Sequence, residues 1–157
     1  GQWLDADQQA SWRAFIMGQT MLLDRLDRDL RQAHRISLAE YEILVRLSEQ
    51  PRKRMRMALL ADAMSHSRSR ITHTISRMEK AGLVERCAAD GDGRGVEAVM
   101  TRSGQRLLRK AAPTHVQGVR GHLIDLASPE DLAAIGRVFN AVSDQLMVEH
   151  DESADIR

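Results

Sequence analysis

Apolar residues recur every three or four positions over most of the chain, which is the period of an amphipathic helix. The first such stretch runs from about Ala6 to Ala33, with charged residues on the opposite side. A helix of that length spans about 42 Å at a rise of about 1.5 Å per residue, more than a small domain needs. We therefore expect it to pack against a second copy of the chain as well as its own.

The last apolar stretch follows a stricter pattern. It begins at Ser128 and Pro129, since serine caps free N–H groups and proline suits the first helical turn. Apolar side chains then follow at spacings of three, four, three and four: Leu132, Ile135, Phe139, Val142 and Leu146. Such a seam favours a partner helix. We expect the two terminal helices to form a joint dimerisation region; ordinary packing within one chain is the alternative.

Shorter helices are predicted between these ends. Ser37 and Glu40 have the spacing of a capping box, which starts a helix that Pro51 ends. A short apolar helix follows near residues 59–64. Ahead of it, the run 55–57 is short enough to be a strand that forms a single ladder.

A basic helix is predicted from Ser67 to Ala81. Ser67 is a good N-cap, and Gly82 suits the left-handed position after the helix. Its apolar residues fall on one stripe that faces inward: Ile71, Ile75 and Met78. Its other faces carry several cationic and hydroxyl side chains, which we expect to be exposed.

A β-hairpin is predicted directly after the basic helix. Residues 83–87 and 96–100 are plausible strands, and three glycines give the loop between them its backbone freedom. The strand at residues 55–57 is expected to pair with this hairpin. A basic helix followed by a long hairpin with Arg94 at its tip is typical of a winged helix-turn-helix, in which the hairpin is the wing.

The predicted fold is therefore mainly α with a small β-wing. We expect a winged helix-turn-helix DNA-binding domain at residues 37–102. Residues 1–36 and 103–157 would form the N- and C-terminal helical dimerisation region.

The charge distribution agrees with this division. Residues 52–110 hold 14 Lys/Arg against 6 Asp/Glu, whereas the rest of the chain holds 9 against 16. A basic middle between acidic ends favours a double-stranded DNA partner, although a solvated basic surface is the simpler alternative.

Other function classes find little support. No run approaches the roughly 18 apolar residues of a membrane span, no secretory leader opens the sequence, and one cysteine fits a reducing compartment. We therefore expect a cytoplasmic protein without a membrane partner. Motifs of nucleotide-binding and hydrolytic enzymes are absent, so we expect no enzyme activity and no cofactor or metal.

Individual DNA-contacting residues can be named from the predicted helix and wing. Ser69, Arg70 and His73 are candidates for base edges, because such side chains donate to or accept from bases in the major groove. Ser67 and Arg68 are candidates for phosphates at the helix start. Further candidates are Arg77 for a phosphate, Arg94 for the adjacent minor groove, and Arg54 and Arg56 for the DNA backbone.

Three blocks of the sequence resemble the MarR family of transcriptional regulators: SRSRITHTISRMEKAGLVER, DGRG and MTRSG. They correspond in order and spacing to the family's recognition helix, its D-x-R wing tip and its run into a long helix. The resemblance covers about residues 12–147. Ser76 stands where the family usually has Asp, which is expected to loosen local salt bridging. His73 stands where many members have Arg, which is expected to alter the bases that are read.

The resemblance implies more than the residues do alone. It implies a homodimer, a pseudo-palindromic operator, a role as repressor, and release by a small aromatic or phenolic effector. The pocket for that effector would draw on such residues as Trp12, Phe15, Met17, His34, Tyr41 and Arg46. It also favours pairing of Arg77 with Asp92 of the wing.

Several alternatives stay open at this stage. The chain could be a winged-helix module that binds proteins, or an architectural protein that binds DNA without sequence preference. Cys87 could be a redox sensor, as in some relatives, or an incidental thiol. His115 and His122, seven residues apart on one helix, could bind zinc.

Overall fold

The computed structural model describes residues 1–89 and 95–155. The helices are α1 (Ala6–His34), α2 (Leu38–Ser48), α3 (Met57–Met64), α4 (Arg68–Lys80), α5 (Arg102–His122) and α6 (Pro129–Asp155). The strands are β1 (Arg54–Arg56), β2 (Val84–Ala88) and β3 (Val96–Met100). Single 3-10 turns occur at Pro51–Lys53 and Ile124–Leu126. The predicted fold class, mainly helical with a small β-wing, is confirmed.

The helix starts follow local capping chemistry. The Asp5 carboxylate accepts from the N–H of Gln8 at 2.8 Å, and the Gln8 side chain accepts from the N–H of Asp5, which closes a capping box at α1. Ser37 and Glu40 form the predicted capping box of α2. Ser128 caps α6 through the N–H of Asp131, as predicted.

The three strands form one antiparallel sheet in the order β1-β3-β2. β1 pairs with β3 as predicted. It covers Arg54–Arg56 instead of residues 55–57, because Met57 already belongs to α3. β2 also begins one residue later than expected. The N–H of Leu83 is bonded to the carbonyl of Met78 and its own carbonyl accepts from Thr101, so Leu83 closes the end of α4 instead.

Two glycines fix the path of the chain around the sheet. Gly82 has φ of 78°, the left-handed conformation predicted for the residue that follows the basic helix. Gly104, in the first turn of α5, lies so close to the residue before β2 that a Cβ there would be 2.2 Å from the carbonyl oxygen of Leu83. Only glycine permits this approach, which brings α5 against the end of α4.

The chain divides into two compact units, residues 1–118 and residues 119–157. The core of the first unit collects aliphatic side chains from α1, α2, α3 and α4, and its fully buried members include Leu30, Leu44, Leu60 and Ile75. The second unit holds the end of α5, a 3-10 turn and α6. Within the described residues, every helix is too short or too polar to cross a bilayer.

Candidate nucleic-acid interface

α4 has one buried side and one exposed cationic side. Ser67 accepts from the N–H of Arg70 at 3.1 Å and so caps the helix as predicted. The predicted inward stripe of Ile71, Ile75 and Met78 is fully buried, and Thr74 completes it. Burial of this stripe anchors the helix, and its opposite side is left to solvent.

The predicted DNA-contacting residues of α4 all lie on or beside that exposed side. The exposed positions are Ser67, Arg68, Ser69, Arg70, His73 and Arg77. Arg94 and Asp92 lie outside the described residues, so the predicted minor-groove contact and the pairing of Arg77 with Asp92 stay predictions.

Arg86 of β2 fastens the wing to α4. Its guanidinium donates to the Oγ of Ser76 and to the carbonyl of Thr72 at 3.3 Å. Its backbone N–H donates to the carboxylate of Glu79 at 2.9 Å. The start of the wing is thereby bonded to three residues on successive turns of the candidate recognition helix. Sequence reasoning missed this role, since Arg86 reads only as one more strand residue.

Ser76 takes over part of the role expected of an aspartate. Its hydroxyl donates to the carbonyl of Thr72 at 2.9 Å and accepts from Arg86, so hydroxyl, carbonyl and guanidinium form a closed triangle. The contact between helix and wing is kept, but with a neutral partner. Among the residues that the structure describes, the carboxylate that balances the charge of Arg86 is that of Glu79, 4.0 Å from the guanidinium Nε.

The two arginines of β1 differ in their surroundings. The guanidinium of Arg54 forms an ion pair with Glu97 across the β1-β3 ladder, and both side chains are largely buried. Arg54 therefore serves the sheet, which argues against its predicted role at the DNA backbone. Arg56, two residues further along the strand, is exposed and stays a candidate.

An open cleft of about 380 Å³ separates α4 from the base of the wing. Three arginines line it, Arg56, Arg68 and Arg86, and no carboxylate does so among the described residues. Because like charges are gathered here beside the exposed side of α4, the cleft extends the positive surface from the helix towards the wing. Such a surface attracts the phosphates of nucleic acid.

His66 lies in the turn before α4. Partial burial, and then the charge of Arg70, lower the pKa of its imidazole from the ordinary value of 6.5. His66 therefore adds little positive charge near pH 7, and the cations beside it are Arg68 and Arg70 at the start of α4.

Cys87 follows Arg86 on β2, but the two side chains leave opposite faces of the strand. The guanidinium of Arg86 is bonded to α4 and so gives no support to an activated thiolate. The redox hypothesis therefore has no structural argument in its favour.

The residues named for an effector pocket do not converge within one chain. Tyr41 is buried and stacks on His115 with ring centroids 4.6 Å apart, and His34 is bonded to the hydroxyl of Thr114 at 2.8 Å. Trp12 lies 22 residues before His34 on the same helix, about 33 Å away at the helical rise of about 1.5 Å per residue. Among the described residues, no group of three or more His, Cys, Asp or Glu is placed to hold a metal.

Comparison with known proteins agrees with this geometry. Residues 36–95 match the sequence model of the MarR family. The chain is 26% identical over 123 residues to the transcriptional regulator PecS of Dickeya dadantii, a match that covers 76% of this chain and 74% of PecS.

Two solved structures from Streptomyces coelicolor are more similar still. AbsC, a MarR family regulator, is 41% identical, with 94% of this chain and 99% of AbsC covered at a TM-score of 0.87. Sco3205, a MarR family regulator solved in complex with DNA, is 39% identical, with 92% and 94% covered at a TM-score of 0.88. The chain therefore belongs to the MarR family of transcriptional regulators, which are not enzymes.

Proposed function

We propose that this protein is a homodimeric, sequence-specific repressor that binds a pseudo-palindromic operator and is released by a small aromatic or phenolic anion. Residues 37–102 form the DNA-binding domain, and residues 1–36 and 103–157 form the dimerisation region. The two α4 helices enter major grooves about one helical turn apart, and the two wings flank them in the minor groove.

The observation that carries this proposal is the division of α4 into a buried apolar stripe and an exposed cationic side. A helix anchored on one side, with arginines and short polar side chains on the other, can enter a major groove without unfolding its support. Sco3205, 39% identical over most of both chains, was solved in complex with DNA, which supports the same use of this fold.

The dimer is supported by apolar side chains that each terminal helix leaves uncovered. On α1 these are Trp12, Phe15, Ile16, Met17 and Met21. On α6 four members of the predicted seam are exposed: Ile135, Phe139, Val142 and Leu146. Monomeric proteins rarely expose apolar rows of this length, so a second copy of the chain is the occupant we propose.

Each candidate residue has a role in this scheme. Ser69, Arg70 and His73 contact base edges, while Ser67 and Arg68 hold phosphates at the positive end of the α4 dipole. Arg77 contacts a phosphate. Arg94 enters the minor groove, a role that rests on the sequence alone.

The effector acts through geometry. A dimer that presents two recognition helices at one separation binds only operators with that separation, so a ligand that prefers another arrangement of the subunits lowers the affinity. The family resemblance supports this step and the role as repressor. Titration of operator complexes with a panel of aromatic acids tests it, and affinity unchanged by every member would remove it.

Selection of bound duplexes from a random DNA pool is the experiment that tests the proposal. We expect enrichment of one pseudo-palindrome with half-sites about 10 base pairs apart. Equal recovery of all sequences would indicate an architectural DNA binder, and no recovery would indicate a protein-binding module.

Variants then assign the individual contacts. His73→Ala should relax specificity at one position of each half-site, whereas uniform weakening would make it a phosphate contact. Arg94→Ala should weaken binding with the fold and dimer intact, and an unchanged dissociation constant would remove the wing from the scheme. Arg28→Ala, which removes the same charge from an exposed position of α1, is the control.

A further inference from the structure

The junction between α1 and α2 is short and closely packed. α1 ends at His34 and is capped by Arg35, which takes the left-handed conformation with φ of 58°; α2 begins three residues after this cap, at Leu38. Ile36 and Ser37 between them are 3% and 4% exposed. Two helices joined in this way have little freedom except rotation about the junction itself.

Asp27 of α1 crosses this junction. One oxygen of its carboxylate, Oδ1, accepts from the backbone N–H of Leu38 at 2.9 Å. The other, Oδ2, accepts from the Nε of Arg31 at 2.8 Å. The first N–H groups of a helix have no partner within it, and Ser37 satisfies the N–H of Glu40 only. The start of α2 is thus held by a side chain from another helix, and that side chain is itself held by Arg31.

A neighbouring ion pair on α1 shows what is particular to Asp27. Asp24 pairs with Arg28 at the same helical spacing, but both side chains are more than 60% exposed. The Asp27 side chain is 29% exposed and faces α2. An ordinary surface pair would need neither the burial nor the bond to the next helix.

We propose that Asp27 is a positioning residue that fixes the angle at which the DNA-binding domain leaves α1, and hence the spacing of the two recognition helices. The inference rests on the proposed dimer. α2 has 11 residues and so is about 16 Å long. A rotation of about 12° at its start moves its far end by about 3.4 Å, the rise of one base pair. A small loss of rigidity at this junction is therefore enough to admit operators of the wrong spacing.

Fluorescence anisotropy with a set of duplexes tests the proposal. The set carries the selected half-sites at the selected spacing and with one base pair removed or one or two added. We expect the wild type to lose at least tenfold in affinity for each wrong spacing. Asp27→Ala, which removes both bonds, should reduce this preference to less than threefold. Asp27→Asn should restore most of it, because the amide oxygen can still accept from Leu38.

Asp24→Ala is the matched control, since it removes the same charge from the same helix without touching α2, and it should keep the wild-type profile. The affinity of each variant is measured below its melting temperature. If Asp27→Ala does not fold, Asp27→Ser replaces it, because the serine side chain is too short to reach Leu38.

The positioning role would be overturned if the wild type has a sharp spacing preference and Asp27→Ala loses affinity by the same factor at every spacing. Asp27 would then be a cap of α2. A wild type that binds every spacing equally would instead refute the proposed function, and the positioning role with it.

Discussion

Replacement of Arg86 by methionine tests the link between the wing and the recognition helix. Methionine keeps a flexible apolar stem of similar reach but removes the guanidinium. The variant loses the bonds to the hydroxyl of Ser76 and to the carbonyl of Thr72, together with the weak ion pair with Glu79. The backbone bond from position 86 to Glu79 remains.

The cost follows from what remains bonded after the change. Ser76 still donates to the carbonyl of Thr72, so no buried acceptor is left without a partner, and only the value of the lost bonds counts. A hydrogen bond from a charged group contributes about 1.5–3 kcal/mol. Because the Arg86 guanidinium is 31% exposed, its two bonds together contribute well below twice that value. We expect the free energy of unfolding to fall by about 2 kcal/mol, or about 4–8 °C in Tm for a chain of this size.

We expect Arg86→Met to weaken DNA binding more than the loss of an ordinary surface arginine does. In the variant, DNA binding has to order a wing that Arg86 no longer holds. If this ordering costs about 1.4 kcal/mol, operator affinity falls about tenfold. Thermal denaturation at matched protein concentration and anisotropy with operator duplex measure the two effects. Arg106→Met, which removes an exposed arginine bonded to Ser103 on its own helix, is the control. Behaviour of Arg86→Met equal to that control would show that the triangle does not hold the wing.

Gly104→Ala should destabilise the protein by about 3 kcal/mol or more in chemical denaturation, because the new Cβ would lie 2.2 Å from the Leu83 carbonyl oxygen; Gly121→Ala, with open space around it, should be neutral or slightly stabilising. Burial works to raise the pKa of Asp27, but the bonds from Leu38 and Arg31 outweigh it, so its pKa lies below 3.8 and its contribution is present above about pH 4 and lost below. The stability difference between wild type and Asp27→Asn should therefore shrink on acidification below pH 4, and a constant difference would contradict this assignment. Cys87→Ser should leave operator binding unchanged under peroxide; a wild type that alone loses affinity would revive the redox hypothesis.

Local signals in the sequence are sufficient to predict most of the helix starts. Ser37 with Glu40, Ser67 and Ser128 each cap the helix expected of them, because capping depends on residues only three positions apart. The same holds for Gly82, whose left-handed conformation is a local requirement. The predicted ends of β1 and β2 differ from the observed ends by one residue, because Met57 belongs to α3 and Leu83 closes the end of α4.

Contacts between distant residues could not be predicted in this way. Arg54 reads as a free cation until the register of β1 against β3 places it beside Glu97. Arg86 is predicted only as a strand residue until β2 is placed along α4, and Asp27 only as one of the charged residues of α1 until α2 is folded beside it. In each case tertiary packing determines the partner. The exposure of the α4 arginines can therefore be predicted from the sequence, whereas the contacts of Arg54, Arg86 and Asp27 cannot.

The salt dependence of operator affinity tests most directly whether the cationic side of α4 and the wing grip DNA in a dimer. Arg68, Arg70, Arg77 and Arg94 from two subunits give about eight phosphate-facing or groove-facing cations, so log K should fall against log salt with a slope of about −7. The slope should become shallower by about two in Arg68→Ala, since each dimer loses two contacts. A slope near zero, or a monomer that ignores the duplex in dilute buffer, would contradict the account.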